Sequence, residues 1–131
     1  MKPFLDSNVL LYAISSDSRK AAVTGDLIAA GGNISVQVLN EFASIASRKH
    51  GLSWSQIGHA LGLLRRTLDV WPLTISVHDS GLRIAERYRF SLYDSLLVAA
   101  ALQAGCSTFF SEDLHDGQVI EGSLTIRNPF T

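Results

Sequence analysis

Cysteine is almost absent from this sequence. The 131 residues include one, Cys106, so no internal disulfide can form, which fits a reducing compartment. Cys106 follows Gly105 ahead of an apolar stretch and reads as a small buried hydrophobe. No apolar run approaches the roughly 18 residues of a membrane span. The start, Met-Lys-Pro-Phe-Leu-Asp, has a short apolar patch that ends at a charge; no signal peptide is expected there, and a cytoplasmic location is. Neither sign of charge is in excess: 11 Lys and Arg stand against 12 Asp and Glu. That excludes charge-driven nucleic-acid binding by the whole surface, though not a locally basic rim. There is no Gly-x-Ser-x-Gly elbow, no Gly-rich phosphate loop with lysine and no Cys–His signature. His50, His59, His78 and His115 show no paired-ligand spacing, which disfavours zinc.

What is present is an alternation of strand and helix signals. Hydrophobic residues make up 47% of the chain, and a chain of this length buries about two-thirds of its unfolded surface. One domain is expected, over residues 1–131. Pro3-Phe4-Leu5 predicts a short strand, followed by a helix or turn from Val9 to Ile14. Arg19 to Ala30 predicts a helix stopped by Gly31-Gly32. Ile34 to Val36 predicts a second strand and Val38 to Lys49 a helix. Ser53 to Leu68 opens on a capping-box pair, Ser53 and Gln56, and carries a stripe of Trp54, Ile57, Leu61, Leu64 and Leu68. Val70 to Ile75 predicts a third strand, Val77 to Tyr88 and Ser91 to Ala104 two helices, Thr108 to Ser111 a fourth strand, and Leu124 to Ile126 a fifth. Short apolar strands separated by helices imply an α/β fold, a parallel sheet with helices on both faces. Such sheets bind ligands beyond the carboxyl ends of their strands.

Four acids are candidates, and three of them fall at or beside strand ends or on inward-looking helix faces, which converge on that edge. Asp6 directly follows Phe4-Leu5; helix N-capping competes there with a ligand role. Glu41 borders the apolar stripe of Val38, Phe42 and Ile45, and Ile45 occupies the i+4 position where a salt-bridging base would stand. Asp94 has Leu97, Val98 and Ala101 at i+3, i+4 and i+7, so it looks along the apolar face of its helix. Ser91 and Asp94 have capping-box spacing, but a carboxylate turned to the core is costly unless paired or metal-bound; the ligand role is the reading adopted. Asp113 follows the fourth strand in a turn-rich stretch. Asp116, before Gly117, reads as the turn residue, and Glu112 is expected to alternate outward.

Carboxylates gathered at one sheet edge repel and raise one another's pKa unless a cation sits among them. Magnesium, which keeps waters and takes few carboxylates, suits such a set; manganese does as well. A metal so held acidifies water and stabilises charge on phosphate, which is phosphodiester hydrolysis.

The pattern resembles the PIN-domain ribonucleases, and within them the VapC-type toxins. Leu5-Asp6-Ser7-Asn8-Val9-Leu10 looks like their opening. Glu41 within Val38-Leu39-Asn40-Glu41-Phe42 resembles the second acid, and Asp94 within Tyr93 to Ala101 the third. Ser111-Glu112-Asp113 resembles the hydroxyl-x-acid element, and the tail from Ser111 to Phe130 is similar to one VapC subgroup. The resemblance implies a three-layer α/β/α fold with about five mostly parallel strands. It implies a magnesium-dependent endoribonuclease with Asp6 and Asp94 as main ligands, Glu41 and Asp113 completing the site partly through water, and Ser111 supporting by hydrogen bonding. It further implies a homodimer and a cognate antitoxin that blocks the groove. RNA backbone contacts would come from Arg48, Lys49, Arg65, Arg66, Arg87 or Arg89.

Two rival readings stand beside it. A non-catalytic PIN-like RNA-binding or scaffolding domain would share the fold, but four retained acids argue against it. An aspartyl-phosphate phosphotransfer domain would also place an acid after the first strand. It would want an Asp where Asn8 stands, or a late lysine, and no lysine follows Lys49.

Overall fold

The computed structural model describes residues 2–131; Met1, the first residue of the leader reading above, lies outside them. Six strands form one sheet in the order β3-β2-β1-β4-β6-β5. They are β1 (Phe4–Leu5), β2 (Asn33–Ser35), β3 (Asp69–Trp71), β4 (Thr108–Phe110), β5 (Val119–Ile120) and β6 (Leu124–Arg127). All neighbours pair in parallel except β5 and β6. The helices are α1 (Ser7–Leu10), α2 (Ser18–Ala30), α3 (Val36–His50), α4 (Trp54–Thr67), α5 (Ile75–Tyr88) and α6 (Leu92–Gln103), with a 3-10 turn over Leu11–Ile14. This is the expected mostly parallel α/β/α arrangement.

The chain lays down β1, β2 and β3 in one lateral direction. It then returns past β1 to place β4 on the other side. Right-handed crossovers in opposite directions put the intervening helices on opposite faces. The reversal makes the gap between β1 and β4 the topological switch point, where open parallel sheets bind ligands. Register at that gap is held by Phe4 and Phe109, directly paired across the strands and stacked at 5.3 Å between ring centroids. Both rings are fully buried. Leu5 pairs with Phe110 next. The Asp6 N–H then donates to the Phe110 carbonyl at 3.0 Å, so Asp6 and Ser111 emerge side by side at the sheet's edge.

Local chemistry explains the helix ends. Ser53 and Gln56 form the anticipated capping box, each side chain bonding the other's backbone N–H. Gly51 closes α3 at φ 65°, a left-handed conformation that glycine adopts without a Cβ penalty. Leu52 then donates back to the Ala46 carbonyl, which leaves Arg48, Lys49 and His50 as a basic last turn favoured by the helix dipole. Helix α6 is buried without a break from Ser95 to Ala101, as an all-apolar helix must be. It packs on α5, where a Cβ on Gly81 would come within 2.8 Å of the Leu96 side chain.

Three expectations need correction. The third strand stops at Trp71 rather than Ile75, because Pro72 has no N–H for the ladder and Thr74 caps α5 through the Val77 N–H. The sheet has six strands, not five. The extra one, β5, is two residues long and returns against β6 through a three-residue loop, residues 121–123, in which Glu121 and Gly122 take positive φ and the Ser123 N–H donates to the Ile120 carbonyl. Finally, Trp54 leads the α4 stripe in sequence but is 71% exposed, while Ile57, Leu64 and Leu68 are buried.

Candidate acidic active site

Asp6 occupies the N-cap position of α1, yet its side chain makes no capping bond. Its carboxylate turns into the edge between β1 and β4 and is 2% exposed. Oδ2 accepts from the Ser111 hydroxyl at 2.9 Å and from Asn8 Nδ2 at 3.3 Å. Ser111 directly follows β4 and is fully buried; its Oγ also receives Asn8 Nδ2 and the Leu114 N–H, each at 3.3 Å.

Glu41 reaches the same place from α3. Its Oε1 accepts from Ser7 Oγ at 2.9 Å, and its Oε2 from Gln37 Nε2 at 3.1 Å. Ser7 Oγ lies 3.3 Å from Asp6 Oδ1 as well, so one hydroxyl spans the two acids. Asp94 sits half-buried in the first turn of α6. Ser91 accepts from its N–H at 3.1 Å, the cap half of the anticipated box. Asp113 is exposed in the loop after β4.

The electrostatics show which acids face one another. Burial pushes the Asp6 carboxyl up to about 7; the Asp94 and Glu41 charges add to this, while the Ser111 bond and the nearby Asn8 N–H oppose it. Burial also raises Glu41, again with help from the Asp94 charge and against the Gln37 and Ser7 bonds. Asp94 is raised by burial and by the charge of Asp113, with Ser91 opposing. All four acids read from the sequence are thus brought within Coulombic reach in a chain from Asp6 and Glu41 through Asp94 to Asp113. The ion pairs among the described residues are Lys20–Glu112 and Arg87–Glu121, and neither engages this set.

The other acids of the final loop serve the fold. Asp116 Oδ1 accepts from the Asn128 N–H at 2.9 Å and so ties the loop to the C-terminal segment. Glu112 does not alternate outward, contrary to expectation. It pairs with Lys20, 92 positions away, and accepts from the Tyr12 hydroxyl, while Lys20 Nζ lies over the Tyr12 and Phe130 rings. Ser7, Asn8 and Gln37 were not singled out from the sequence. Ser7 and Asn8 flank the first acid and Gln37 precedes Glu41 by one helical turn, the i to i+4 relation that lets side chains meet. At the end of β2, Ser35 Oγ is buried without a hydrogen-bond partner among the described residues.

A profile of the PIN domain matches residues 4–115. The chain belongs to the PIN-domain family. No curated protein matches it. Among solved structures it is similar to a toxin–antitoxin complex from Klebsiella pneumoniae, with TM-score 0.73, 16% identity and 97% of each chain covered. It is similar to VapC20 of Mycobacterium tuberculosis, described as a sarcin–ricin-loop-cleaving toxin, with TM-score 0.69, 17% identity and 82% of this chain and 86% of that chain covered. It is also similar to VapBC2 of Rickettsia felis bound to a promoter DNA fragment, with TM-score 0.68, 18% identity and 98% of each chain covered. These likenesses establish the PIN fold. Among the described residues no helix is long and apolar enough to cross a membrane.

The donor set suits a hard divalent cation. It is all oxygen, it is partly desolvated, and no side-chain cation among the described residues balances it. Among the described residues no three His, Cys, Asp or Glu side chains stand close enough to hold an ion by themselves. A hydrated magnesium ion needs only one or two carboxylates, its remaining positions going to water and substrate phosphate.

Proposed function

We propose that this protein is a metal-dependent endoribonuclease that acts as the toxin of a toxin–antitoxin pair. The observation that carries the reading is Asp6: a buried carboxylate at the switch point, faced by Glu41 and Asp94 and given no counter-charge. Burying an uncompensated acid is costly. Gathering acids at one edge makes sense where a hydrated cation, held directly by one or two of them, stands among them. The toxin–antitoxin proteins of like fold, VapC20 among them, support RNA as substrate and an antitoxin as partner.

Asp6 and Asp94 are the groups to hold Mg2+, or Mn2+, with Glu41 and Asp113 reaching it through water. When bound, the metal acidifies an attacking water and stabilises charge on the scissile phosphate. The chain's residues do the rest. Ser111 and Asn8 fix the Asp6 carboxylate in place, as partners of metal ligands do. Ser7 and Gln37 hold the two oxygens of Glu41. With its pKa raised by burial, Glu41 is suited to take up a proton in the hydrolysis. The protein works as one PIN-like unit over residues 1–131, as a homodimer in the cytoplasm, with an antitoxin segment filling the groove when inhibited.

The test is cleavage of total RNA by purified protein with magnesium, with chelator, and by the Asp6→Asn variant. Cleavage that requires both metal and Asp6 supports the reading. Folded protein, free of antitoxin, that cleaves no RNA under any of these conditions refutes the ribonuclease and favours a binding domain.

A further inference from the structure

Beside the carboxylates, α3 and the start of α6 enclose a groove of about 520 Å³. Glu41 and Gln37 form its inner end. Asn40, Ser44, Arg48 and Tyr93 line it outward. Tyr93 immediately precedes Asp94 in α6, so the groove opens directly off the acidic site.

Two of its side chains keep polar atoms without a partner among the described residues. Tyr93 is 60% exposed and carries no hydrogen bond among the described residues, although every position from Ser95 to Ala101 on its helix is buried. An exposed aromatic alone means little. Here it shares the groove with Arg48, which pairs with no carboxylate among the described residues. Arg48 uses only Nε, donating to Ser44 Oγ at 3.2 Å one turn earlier. That bond orients the guanidinium and leaves its terminal nitrogens open to a bidentate acceptor.

On the far side of Ile45, which borders both spaces, a second cleft of about 280 Å³ carries Lys49, His50, Asn8 and Asp113. The successive bases at the end of α3 therefore fall on both flanks of the acids: Arg48 on one, Lys49 and His50 on the other. With a net charge of −1, the protein has no broad basic field to hold a polyanion. Affinity for RNA must then come from a few local cations and from stacking.

We infer that Tyr93 and Arg48 form a nucleotide subsite flanking the acidic centre. Tyr93 is the platform for one unpaired base. Arg48 clamps the adjoining phosphate, and the exposed amide of Asn40 lies where a base edge is read. The subsite places the scissile phosphate over Asp6, Glu41 and Asp94, one nucleotide from the stacked base. The inference rests on the ribonuclease reading and adds to it the residues that position and select the strand.

The test is fluorescence anisotropy with a short fluorescein-labelled, mixed-sequence single-stranded RNA. It is run on the Asp6→Asn protein, which is expected to bind without cutting, across a range of salt. Adding Tyr93→Ala should weaken binding about tenfold, the scale of one base–aromatic stack, and Tyr93→Trp should restore it. Adding Arg48→Ala should lower the magnitude of the log–log salt slope by about 0.7, the value for one phosphate on a single strand. Unchanged affinity and slope in both variants, with metal-dependent cleavage by the wild type intact, would overturn the subsite alone. A loss in Tyr93→Ala that Trp and Phe fail to restore would overturn it too. If the wild type shows no metal-dependent cleavage and the Asp6→Asn protein binds no RNA, the ribonuclease reading falls and takes the subsite with it.

Discussion

Asp6 and Glu112 lie on neighbouring strand ends and are linked through one residue. Asn8 donates its amide to the Asp6 carboxylate and accepts the Glu112 N–H on its carbonyl at 3.2 Å. Their surroundings are opposite. Glu112 meets Lys20 and the Tyr12 hydroxyl, and these hold its carboxyl below the usual range against a burial effect that would raise it. Asp6 is buried with Glu41 and Asp94 for neighbours and is pushed up to about 7. At Glu112 this protein supplies a cation from within the chain. At Asp6 no such cation is supplied among the described residues, and under the proposed function an external one takes that place.

The largest expected effect that separates the two is on catalysis. Asp6→Asn should lower RNA cleavage by about three orders of magnitude or more, the equivalent of several kcal/mol of charge stabilisation. The same change should stabilise the metal-free protein. An ordinary aspartate titrates near 3.8 and Asp6 near 7, so the folded state binds the proton more tightly than the unfolded state. Stability therefore falls as pH rises from about 4 to about 7, and above that the full cost is present. At 1.36 kcal/mol per pKa unit the ceiling is about 4 kcal/mol. The asparagine can keep the geometry: its carbonyl accepts from Ser111 and Asn8, and its amide faces Ser7 Oγ. Urea unfolding with chelator at pH 8 should show the variant more stable, with the gap closing by pH 4. A variant less stable at pH 8 would mean that the acid serves the fold after all.

Metal should reverse the order. Magnesium at 100 times its dissociation constant should stabilise the wild type by about 2.7 kcal/mol. Thermal unfolding should show little or no such shift for Asp6→Asn. Next in size is Ser111→Ala, which removes the closest hydrogen bond to Asp6. Metal affinity should drop about 10- to 100-fold, measured by the magnesium concentration that half-saturates cleavage. Glu112→Gln should act in the opposite sense to Asp6→Asn. It breaks the contact with Lys20, so its melting temperature should fall by about 2–4 °C, with cleavage changed far less than in Ser111→Ala. The smallest contrast lies within the final loop. Asp113→Asn should reduce cleavage more than Asp116→Asn, since Asp113 acts on Asp94 while Asp116 holds the Asn128 N–H. The reverse ranking would move the fourth site acid to Asp116.

Most of the helices were legible because their signals are local. The Ser53–Gln56 box, the Gly31 and Gly51 stops and the three- and four-residue apolar spacing each act within one or two turns. The four acids were legible for a related reason. Residues at the carboxyl ends of strands share an edge in any parallel sheet, so strand-end position was enough to select Asp6 and Asp113. The misses have equally definite causes. A two-residue strand such as β5 has no period to detect, and its existence depends on β6 being there to pair with. The third strand is shorter than its apolar run because Pro72 has no N–H for the ladder, although Leu73 and Ile75 keep the apolar identity of a strand. Ser7 and Asn8 were passed over because a hydroxyl and an amide after a strand serve turns as readily as sites.

Residue type and spacing by themselves determined an α/β chain, its order of elements and a set of acids with no basic partner at helical spacing. Those are properties of segments a few residues long, set by side-chain period, capping chemistry and backbone hydrogen bonding. Only the tertiary structure decided that β4 returns to lie beside β1, which puts Ser111 within 2.9 Å of Asp6 across 105 positions. It alone decided that Lys20 goes to Glu112, leaving Asp6, Glu41 and Asp94 unbalanced. Whether a carboxylate is paired or left exposed to its own kind depends on which distant side chains the packing brings near. Coulomb and desolvation energies act through space, and nothing in the local sequence records that distance.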